Sequence, residues 1–318
     1  MDKLGIYIPT KDRPVELKEC LNSLIYQVKQ FGFPIYISDN SGNDETKKLV
    51  VKLRENYRKI YYRRNPYKGL NGTYASNLKS VIEMGKTEFV WFLGDDDIIF
   101  KNAVNKIAKN LDGNQFLQIN MAIYDNNLTK ILNHRVIKRY KDMEYYPGMH
   151  EEVMLNAQPE GYVGFMGSII IKRKMLVYEL QKIKNTDEMD FLHTVLFYRA
   201  IVNKKGKFIA QPLIKYRTGA DLGERTVRVW VYSFPKTMNM LKQNYSEKII
   251  RDIAYVKAYS AVSLSYHICD KYPKESRKAW MEIKNSKYVS LFGKMLAYMF
   301  LRIPIIYFIV RKLKRVTA

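Results

Sequence analysis

Apolar and polar positions follow two alternating patterns along the first third of the chain. Short apolar runs have the length of buried strands, and each leads into a longer segment whose apolar residues recur every three or four positions, as on one helix face. The strands are predicted at residues 4–8, 34–38, 59–63 and 88–93, and the helices at residues 14–30, 45–57 and 73–84. Pro9 is expected to end the first strand. Strands that alternate with helices pair in parallel, so this part predicts a doubly wound α/β sheet.

The pattern changes in the middle of the chain. Strand-like segments are predicted at residues 115–124, 131–137 and 207–216, a glycine-containing loop that enters a strand at 161–173, and a mainly helical stretch at 179–202. These predict a mixed sheet. The remaining helical patterns lie at 226–240, 245–269 and 274–284. We therefore expect an α/β domain at residues 1–220 and a helical C-terminal region at residues 221–318.

Composition limits the classes of protein. The 318 residues are 47% hydrophobic and carry 54 Lys and Arg against 31 Asp and Glu, a net charge of +23. Such charge attracts nucleic acid, anionic membranes or phosphorylated substrates, and its sign does not choose among them. Only Cys20 and Cys269 are present, so neither a disulfide framework nor a cysteine metal site is expected. The N-terminus does not have the pattern of a secretory signal, which predicts a cytoplasmic protein.

The fourth predicted strand ends in three consecutive carboxylates, Asp95, Asp96 and Asp97. Adjacent carboxylates raise one another's pKa unless a metal or basic side chains balance them, and their hard oxygen atoms suit Mg²⁺ or Mn²⁺. In an α/β sheet, ligands bind outside the C-terminal ends of the strands. A polar turn that caps the next helix needs one Asp, and three exceed that need. The run predicts a divalent metal site.

The end of the chain is apolar and then strongly basic. Residues 291–310 are mostly apolar but are interrupted by Lys294, Arg302 and Pro304, and residues 291–318 contain six Lys or Arg and no acid. An apolar helix face followed by a basic cluster is the pattern of a segment that lies on an anionic membrane surface. The alternatives are a helix packed on its own domain and a short segment that enters the membrane.

Four motifs, in this order and spacing, resemble the inverting glycosyltransferases of family 2, which have the GT-A fold. They lie at residues 6–14, 36–46, 71–77 and 93–97. The first is similar to the family's P-T-x-N/D-R turn, the third to its N-x-G-x-x-x-A-x-N region and the last to its metal-binding L-D-x-D-D. One departure is that Gly94 stands where the family often has its first Asp. The resemblance implies a Rossmann-like mixed sheet with flanking helices.

The resemblance also implies roles for individual residues. Asp96 would be the main metal ligand, and Asp97 would support the metal directly or through water. Asp39 would accept a hydrogen bond from N3 of uracil, and Asp95 would contact the ribose. The other matched positions that would line the nucleotide-sugar site are Pro9, Thr10, Arg13, Gly72 and Asn77.

An inverting transfer also needs a general base that takes the proton of the acceptor hydroxyl. In the resembling family this base comes from an E-D pair at a helix start. The acidic cluster in that place here contains Asp187, Glu188 and Asp190, with His193 one turn beyond. We expect Glu188 first and Asp190 second as the base, and an acidic helix start favoured by the helix dipole is the alternative explanation.

These observations predict a glycosyltransferase dependent on Mn²⁺ or Mg²⁺ that acts in cell-surface glycan synthesis. It would move a monosaccharide from a nucleotide-diphosphate sugar to a lipid-linked or polysaccharide acceptor, at the cytoplasmic face of the membrane as a peripheral or monotopic protein. One alternative is a sugar nucleotidyltransferase, which needs a Gly-rich loop where residues 9–11 have none. The other is a non-enzymatic binder of polyanions; no nucleic-acid partner is expected.

Overall fold

In a computed structural model, the chain divides into two compact units, Met1–Ala220 and Asp221–Ala318. The structure describes residues 1–67, 73–157, 159–184, 186, 189–218, 228–254, 265–266, 268–270, 273–303 and 306. Within these residues, the paired strands of the sheet all belong to the first unit, and the second is built from helices.

The first unit begins with the predicted alternation of strands and helices. The strands are β1 (Leu4–Thr10), β2 (Ile35–Asp39), β3 (Ile60–Arg64) and β4 (Phe89–Phe92), and the helices between them are α1 (Pro14–Phe31), α2 (Glu45–Arg54) and α3 (Tyr74–Met84). β1 pairs in parallel with both β2 and β4, and β2 pairs in parallel with β3. The C-terminal ends of these four strands therefore lie along one edge of the sheet.

The second half of this unit completes a mixed sheet. Its elements are β5 (Ile98–Ile99), α4 (Ala103–Ala108), β6 (Phe116–Tyr124), β7 (Ile131–Asn133), β8 (Met143–Tyr145), α5 (His150–Asn156), β9 (Ile169–Lys172), α6 (Arg173–Gln181), α7 (Leu192–Ala200) and β10 (Gly206–Arg217). Two 3₁₀ helices, Pro159–Gly164 and Met166–Ser168, precede β9. The described strands form one sheet in the order β3-β2-β1-β4-β9-β6-β10-β5, with β7 beside β6 and β8 beside β10.

Strand direction brings distant parts of the chain to the same edge. β9 is antiparallel to both β4 and β6, so β6 runs in the direction of β4, and β10 is parallel to β6. Tyr124 and Arg217, at the ends of β6 and β10, therefore lie at the edge where Asp95 follows β4. We call this edge the cleft edge.

Helix α1 shows how the sequence pattern forms the layers of the fold. Pro14 occupies the first turn, where its missing N–H is not needed, and Gly32 ends the helix in the left-handed conformation at φ 68°. Its apolar residues recur at helical spacing and are buried: Leu17, Cys20, Leu21, Leu24 and Val28. This face packs on the sheet and carries the turn that precedes the helix to the cleft edge.

The sequence predicted that Pro9 ends β1, but the strand continues past it. Pro9 lies at a position where its missing N–H removes no hydrogen bond between strands. The strand continues to Thr10, and Pro9 pairs with Ser38 of β2 in register. Backbone groups alternate sides along a strand, and the amide of Ile6 faces β2. The nitrogen of Pro9 therefore faces β4, whose pairing with β1 stops at Tyr7. The short strands β5 and β8 were missed because two or three residues do not establish a period of two.

The second unit consists of short helices around its own apolar cluster. A π-helical turn, Arg228–Ser233, is followed by α8 (Phe234–Asn239), α9 (Glu247–Ala254), a 3₁₀ turn (Pro273–Glu275), α10 (Ser276–Asn285) and α11 (Leu291–Arg302). Val231, Ile268, Ile283, Ala297 and Leu301 are buried together. In the part of the chain that the structure describes, no helix is both long enough and apolar enough to cross a membrane.

Gly85, after α3, offers a test of core packing. A Cβ atom there would lie 1.8 Å from the hydroxyl oxygen of Tyr7, a buried ring held by a 2.9 Å hydrogen bond to Thr87. We expect Gly85→Ala to lower the free energy of unfolding by about 1–3 kcal/mol through overpacking, measured by denaturant unfolding. Gly42→Ala is the matched control because nothing lies within 4 Å of its Cβ position. Equal stability of the two variants would contradict this packing.

Candidate functional site

The turn after β4 carries carboxylates whose charge is only partly balanced. Asp95 is buried, and its Oδ2 accepts a 2.7 Å hydrogen bond from the Thr10 hydroxyl. Nη1 of Arg13 lies 3.3 Å from Asp95 Oδ1 and 2.8 Å from Asp96 Oδ2. Burial, followed by the charge of Asp96, raises the pKa of Asp95 to about 6. The turn therefore favours additional positive charge.

Asp97 is the most enclosed of the three acids. It is 2% exposed, and the backbone of Arg217 favours its ionised form and so offsets part of the cost of burial. Within the described residues, its Oδ1 is buried without a hydrogen-bond partner. Burial and the charge of Asp96 raise the pKa of Asp97 well above its usual range. A Cβ at position 94 would lie 2.7 Å from Asp97 Oδ2, so Gly94 leaves the space that this carboxylate occupies.

Arg217, at the end of β10, binds the backbone of the acid turn. The sequence did not predict this role. Its Nε donates to the backbone carbonyl of Asp96 at 3.0 Å and its Nη1 to the carbonyl of Asn126 at 3.1 Å. Its Nη2 forms an ion pair with Glu19 of α1. The guanidinium therefore joins three chain segments beneath the turn. The feature of the sequence that could have indicated this role is a basic residue directly after the last predicted strand.

The acid turn has the chemistry of a divalent cation site. In the described residues, no three His, Cys, Asp or Glu side chains are gathered as a preformed ligand set. Mg²⁺ in phosphate-transferring sites commonly uses one or two carboxylates and completes its shell with substrate phosphates and water. The unpaired Oδ1 of Asp97 and the adjacent Asp96 carboxylate fit that requirement.

Asp39 lies at the cleft edge but is fully buried. Its Oδ1 accepts a 2.7 Å hydrogen bond from the amide of Ser41, and its Oδ2 accepts one of 2.7 Å from the hydroxyl of Tyr62. Nη1 of Arg64 is 3.1 Å from the same Oδ2. A carboxylate has about four lone-pair sites, and these partners use most of them. Its contact with a uracil base stays a prediction.

The loops that follow β1 and β2 are fastened to each other. Asp12 adopts a left-handed conformation at φ 53°, its amide donates to Ser41 Oγ at 2.8 Å, and its Oδ1 accepts from the amide of Gly42 at 3.0 Å. Asn77 of α3 donates through Nδ2 to the carbonyl of Thr10 at 2.9 Å. These bonds hold the turn that carries Arg13 in a defined position.

The predicted base residues are only partly within the described chain. Asp187, Glu188 and the loop residue Gly72 lie outside the described residues. Asp190 is half-buried just before α7. Because α7 leads into the start of β10 at the far edge of the sheet, its own first turn lies at the cleft edge. The structure thus brings Asp190 to the edge that holds the acid turn.

His193 does not have the properties of a general base. It is 4% exposed, and burial lowers its pKa to about 4. Its Nδ1 lies 2.7 Å from the hydroxyl of Tyr74, and its Nε2 lies 2.7 Å from the carbonyl oxygen of Gly164. Both ring nitrogens are engaged within the protein, so His193 contributes to structure around the cleft.

The loop before β9 lies beside the acid turn. Trp91 donates through Nε1 to the carbonyl of Gly167 at 2.8 Å, which anchors the loop to β4. The rings of Phe165 and Tyr216 meet edge to face at 5.0 Å. Burial, followed by the charge of Asp97, raises the pKa of Tyr216 to about 12. Aromatic side chains therefore border the acids on the side opposite the first strands.

Comparison with known sequences matches this part of the chain to one family. The model described as glycosyl transferase family 2 matches residues 5–180. The abequosyltransferase RfbV of Salmonella typhimurium is 28% identical over 183 residues, which cover 54% of this chain and 53% of that protein. The GalNAc(5)-diNAcBac-PP-undecaprenol beta-1,3-glucosyltransferase of Campylobacter jejuni is 32% identical over 112 residues, or 34% of either chain. The chain thus spans about half and about a third of the length of these relatives.

Solved structures share the architecture. Residues 1–349 of TarS from S. aureus align with a TM-score of 0.58 and 15% identity over 90% of this chain and 81% of that chain. The same protein has been crystallised with UDP and with UDP-GlcNAc. The mannosyltransferase PcManGT of Pyrobaculum calidifontis, crystallised with GDP-Man and Mn²⁺, aligns with a TM-score of 0.51 and 13% identity over 95% of this chain and 81% of that chain. At these identities the likeness shows the fold.

The buried neutral imidazole predicts a pH-dependent stability. The pKa of His193 falls from 6.5 to about 4 on folding, so the unfolded chain takes up a proton first as the pH falls. Neutral, buried His193 contributes to the free energy of unfolding above pH 6.5. This contribution is lost between pH 6.5 and about pH 4, by up to ~1.4 kcal/mol per pH unit. We expect the unfolding free energies of wild type and His193→Gln to converge over this window. Parallel curves would show that His193 is not buried as neutral imidazole.

Proposed function

The chain belongs to glycosyl transferase family 2, and on this premise we propose that it transfers a monosaccharide from a nucleotide-diphosphate sugar to a hydroxyl group of a cell-surface glycan acceptor. The observation that carries the proposal is the acid turn at the end of β4, with Asp95, Asp96 and Arg13 in contact and Asp97 buried beside them. The names of the curated relatives, an abequosyltransferase and a glucosyltransferase, support sugar transfer.

The donor is proposed to lie along the ends of β1, β2 and β4. Thr10 and Asp39 are register partners at the ends of β1 and β2, and Asp95 hydrogen-bonds to Thr10, so these groups form a continuous polar strip. A nucleotide along this strip would place its base near Asp39 and its diphosphate near Arg13. The UDP and UDP-GlcNAc complexes of TarS support a uridine donor.

Asp96 and Asp97 are proposed to hold Mn²⁺ or Mg²⁺, with the donor's phosphate oxygens completing its shell. When bound, the cation supplies positive charge to the diphosphate leaving group. Arg13, already paired with Asp95 and Asp96, adds positive charge on the same side. The Mn²⁺ complex of PcManGT supports a metal-dependent reaction.

Inversion is proposed to use one acid of the cluster at residues 187–190 as general base. The base must take the acceptor proton on the face of the sugar opposite the leaving diphosphate. Glu188 remains the first candidate and Asp190 the second. Asp190 stands before the first turn of α7, and α7 and α3 carry the hydrogen-bonded pair His193 and Tyr74. This contact supports a position for Asp190 next to the donor half of the cleft.

The acceptor is proposed to be lipid-linked, with the protein held on an anionic membrane surface. The Campylobacter relative is named for an undecaprenol-linked acceptor. On α11, Leu291, Phe292, Met295 and Tyr298 are exposed, with exposed fractions between 45% and 86%. Large apolar side chains on one helix face suit insertion among lipid headgroups, and the basic residues that follow in the sequence, at 311–315, lie outside the described residues.

Asp96→Ala tests the donor and metal site. We expect wild type to gain thermal stability from a UDP-, GDP- or dTDP-sugar only with Mn²⁺, and Asp96→Ala to lose that gain along with at least ~100-fold of transfer activity. Asp112→Ala is the control, since that acid has a side chain 85% exposed and pairs with Lys3. Donor binding by Asp96→Ala equal to wild type would contradict the proposal.

The outer face of α11 tests membrane attachment. We expect the double variant Phe292→Ser, Met295→Ser to lose flotation with anionic vesicles, because each buried CH₂ contributes ~0.8 kcal/mol to insertion. Met281→Ser on α10, where Met281 is 49% exposed, is the matched control and should float as wild type does. Unchanged flotation of the double variant would remove α11 from the attachment.

A further inference from the structure

The hydrogen bonds of His193 fix its tautomer. The carbonyl oxygen of Gly164 only accepts, so Nε2, 2.7 Å away, carries the proton. Nδ1 is then the acceptor and receives the hydroxyl proton of Tyr74 across 2.7 Å. The two rings meet edge to face with centroids 5.6 Å apart. The sequence Tyr74–His193–Gly164 is therefore one directed chain of two hydrogen bonds, which we call the clasp.

The clasp joins three segments that reach the cleft edge. Tyr74 is the first residue of α3, Gly164 ends the 3₁₀ helix Pro159–Gly164, and His193 is the second residue of α7. The 3₁₀ segment belongs to the loop that Trp91 anchors to β4 through Gly167. The start of α7 is thereby tied both to the donor half of the cleft and to the loop on its other side.

The position of the clasp relates it to the acid cluster. Asp190 lies three residues before His193. Burial, followed by the charge of Asp190, raises the pKa of Tyr74, so the carboxylate and the phenol are near each other. Any rotation of the first turn of α7 would displace Asp190. The imidazole of His193, in that first turn, fixes its orientation.

Stability alone does not require this polar pair. A hydrogen bond between neutral groups contributes little net stability, because it replaces hydrogen bonds to water, and an apolar pair of the same shape can be nearly neutral in its place. A fully satisfied polar network instead fixes one arrangement of the elements that it joins. Two further side chains adjoin the pair. Sδ of Met166 lies 3.2 Å from the Tyr74 hydroxyl oxygen, and the ring centroid of Phe191 lies 6.2 Å from that of His193.

We propose that Tyr74 and His193 are positioning residues that hold the start of α7, and with it Asp190, in the position required for proton abstraction from the acceptor. The proposal rests on the proposed transferase function. Misplacement of a reacting group by about 1 Å lowers rates by roughly 100-fold. Loss of the clasp should therefore lower kcat for transfer while the donor site, built on β1, β2 and β4, keeps its affinity.

Tyr74→Phe tests the clasp by removing one hydroxyl group. We expect kcat to fall roughly 10- to 100-fold, with the donor KM, the Mn²⁺-dependent thermal shift and the apparent pKa of the pH–rate profile unchanged. Tyr145→Phe is the matched control. Tyr145 is fully buried, and its hydroxyl bonds to Gln118 and Asn156, both at 2.6 Å, in the part of the sheet away from the cleft edge. We expect Tyr145→Phe to lose about as much stability as Tyr74→Phe and to keep the wild-type kcat.

Substitution of His193 separates geometry from simple packing. His193→Gln keeps an acceptor and a donor on one side chain and should retain more of kcat than His193→Leu, which keeps neither. Equal kcat in these two variants, or wild-type kcat in Tyr74→Phe, would overturn the proposal. A loss in Tyr74→Phe that falls equally on donor affinity would also overturn it.

Amide hydrogen exchange tests the same proposal without any activity. Tyr74→Phe should speed exchange at residues 189–193 and leave residues 4–10 and 35–39 protected as in wild type. Unchanged exchange at 189–193 would refute the clasp even in an active enzyme. A wild-type protein that transfers no sugar from any donor would instead refute the proposed function, and the exchange result would still decide whether the clasp orders the start of α7.

Discussion

Concentrated negative charge at the C-terminal edge of a buried strand is the constraint around which the first unit is arranged. Asp95 and Asp97 are almost wholly removed from solvent, and charge on Asp96 beside them makes each harder to ionise. Burying such charge without partners is strongly unfavourable. Arg13 meets it from the first turn and Arg217 from the last strand, so two parts of the chain that are distant in sequence are required at one place.

Specific hydrogen bonds hold the loops around the acid turn. Each fastens a loop to a neighbouring element: Asp12 to Ser41, Asn77 to Thr10, and Trp91 to Gly167. Each is worth little in free energy alone. Together they leave few alternative positions for the side chains that face the cleft, which is the condition for a preorganised site.

The sequence predicted the features that rest on local patterns. The first four strands and three helices were correct, and the resemblance to family 2 glycosyltransferases is confirmed by the match over residues 5–180. The metal and donor roles of the acid turn stay predictions. The end of β1 was wrong because a proline breaks a strand only where its missing N–H would face a partner. Arg217 and Tyr74 escaped notice because their roles arise from contacts 121 and 119 residues away, to Asp96 and His193, which no local pattern encodes.

The placement of β10 inside the sheet, between β6 and β5, has a consequence for biosynthesis. During translation, β4 and the aspartates that follow it emerge early. The guanidinium of Arg217, which binds the backbone of Asp96, is made only when residue 217 is added. A nascent chain shorter than this holds an unfinished sheet with an open edge beside β6, and such edges attract other strands. The ribosome must therefore release nearly the whole first unit before the interior charge of the cleft is balanced.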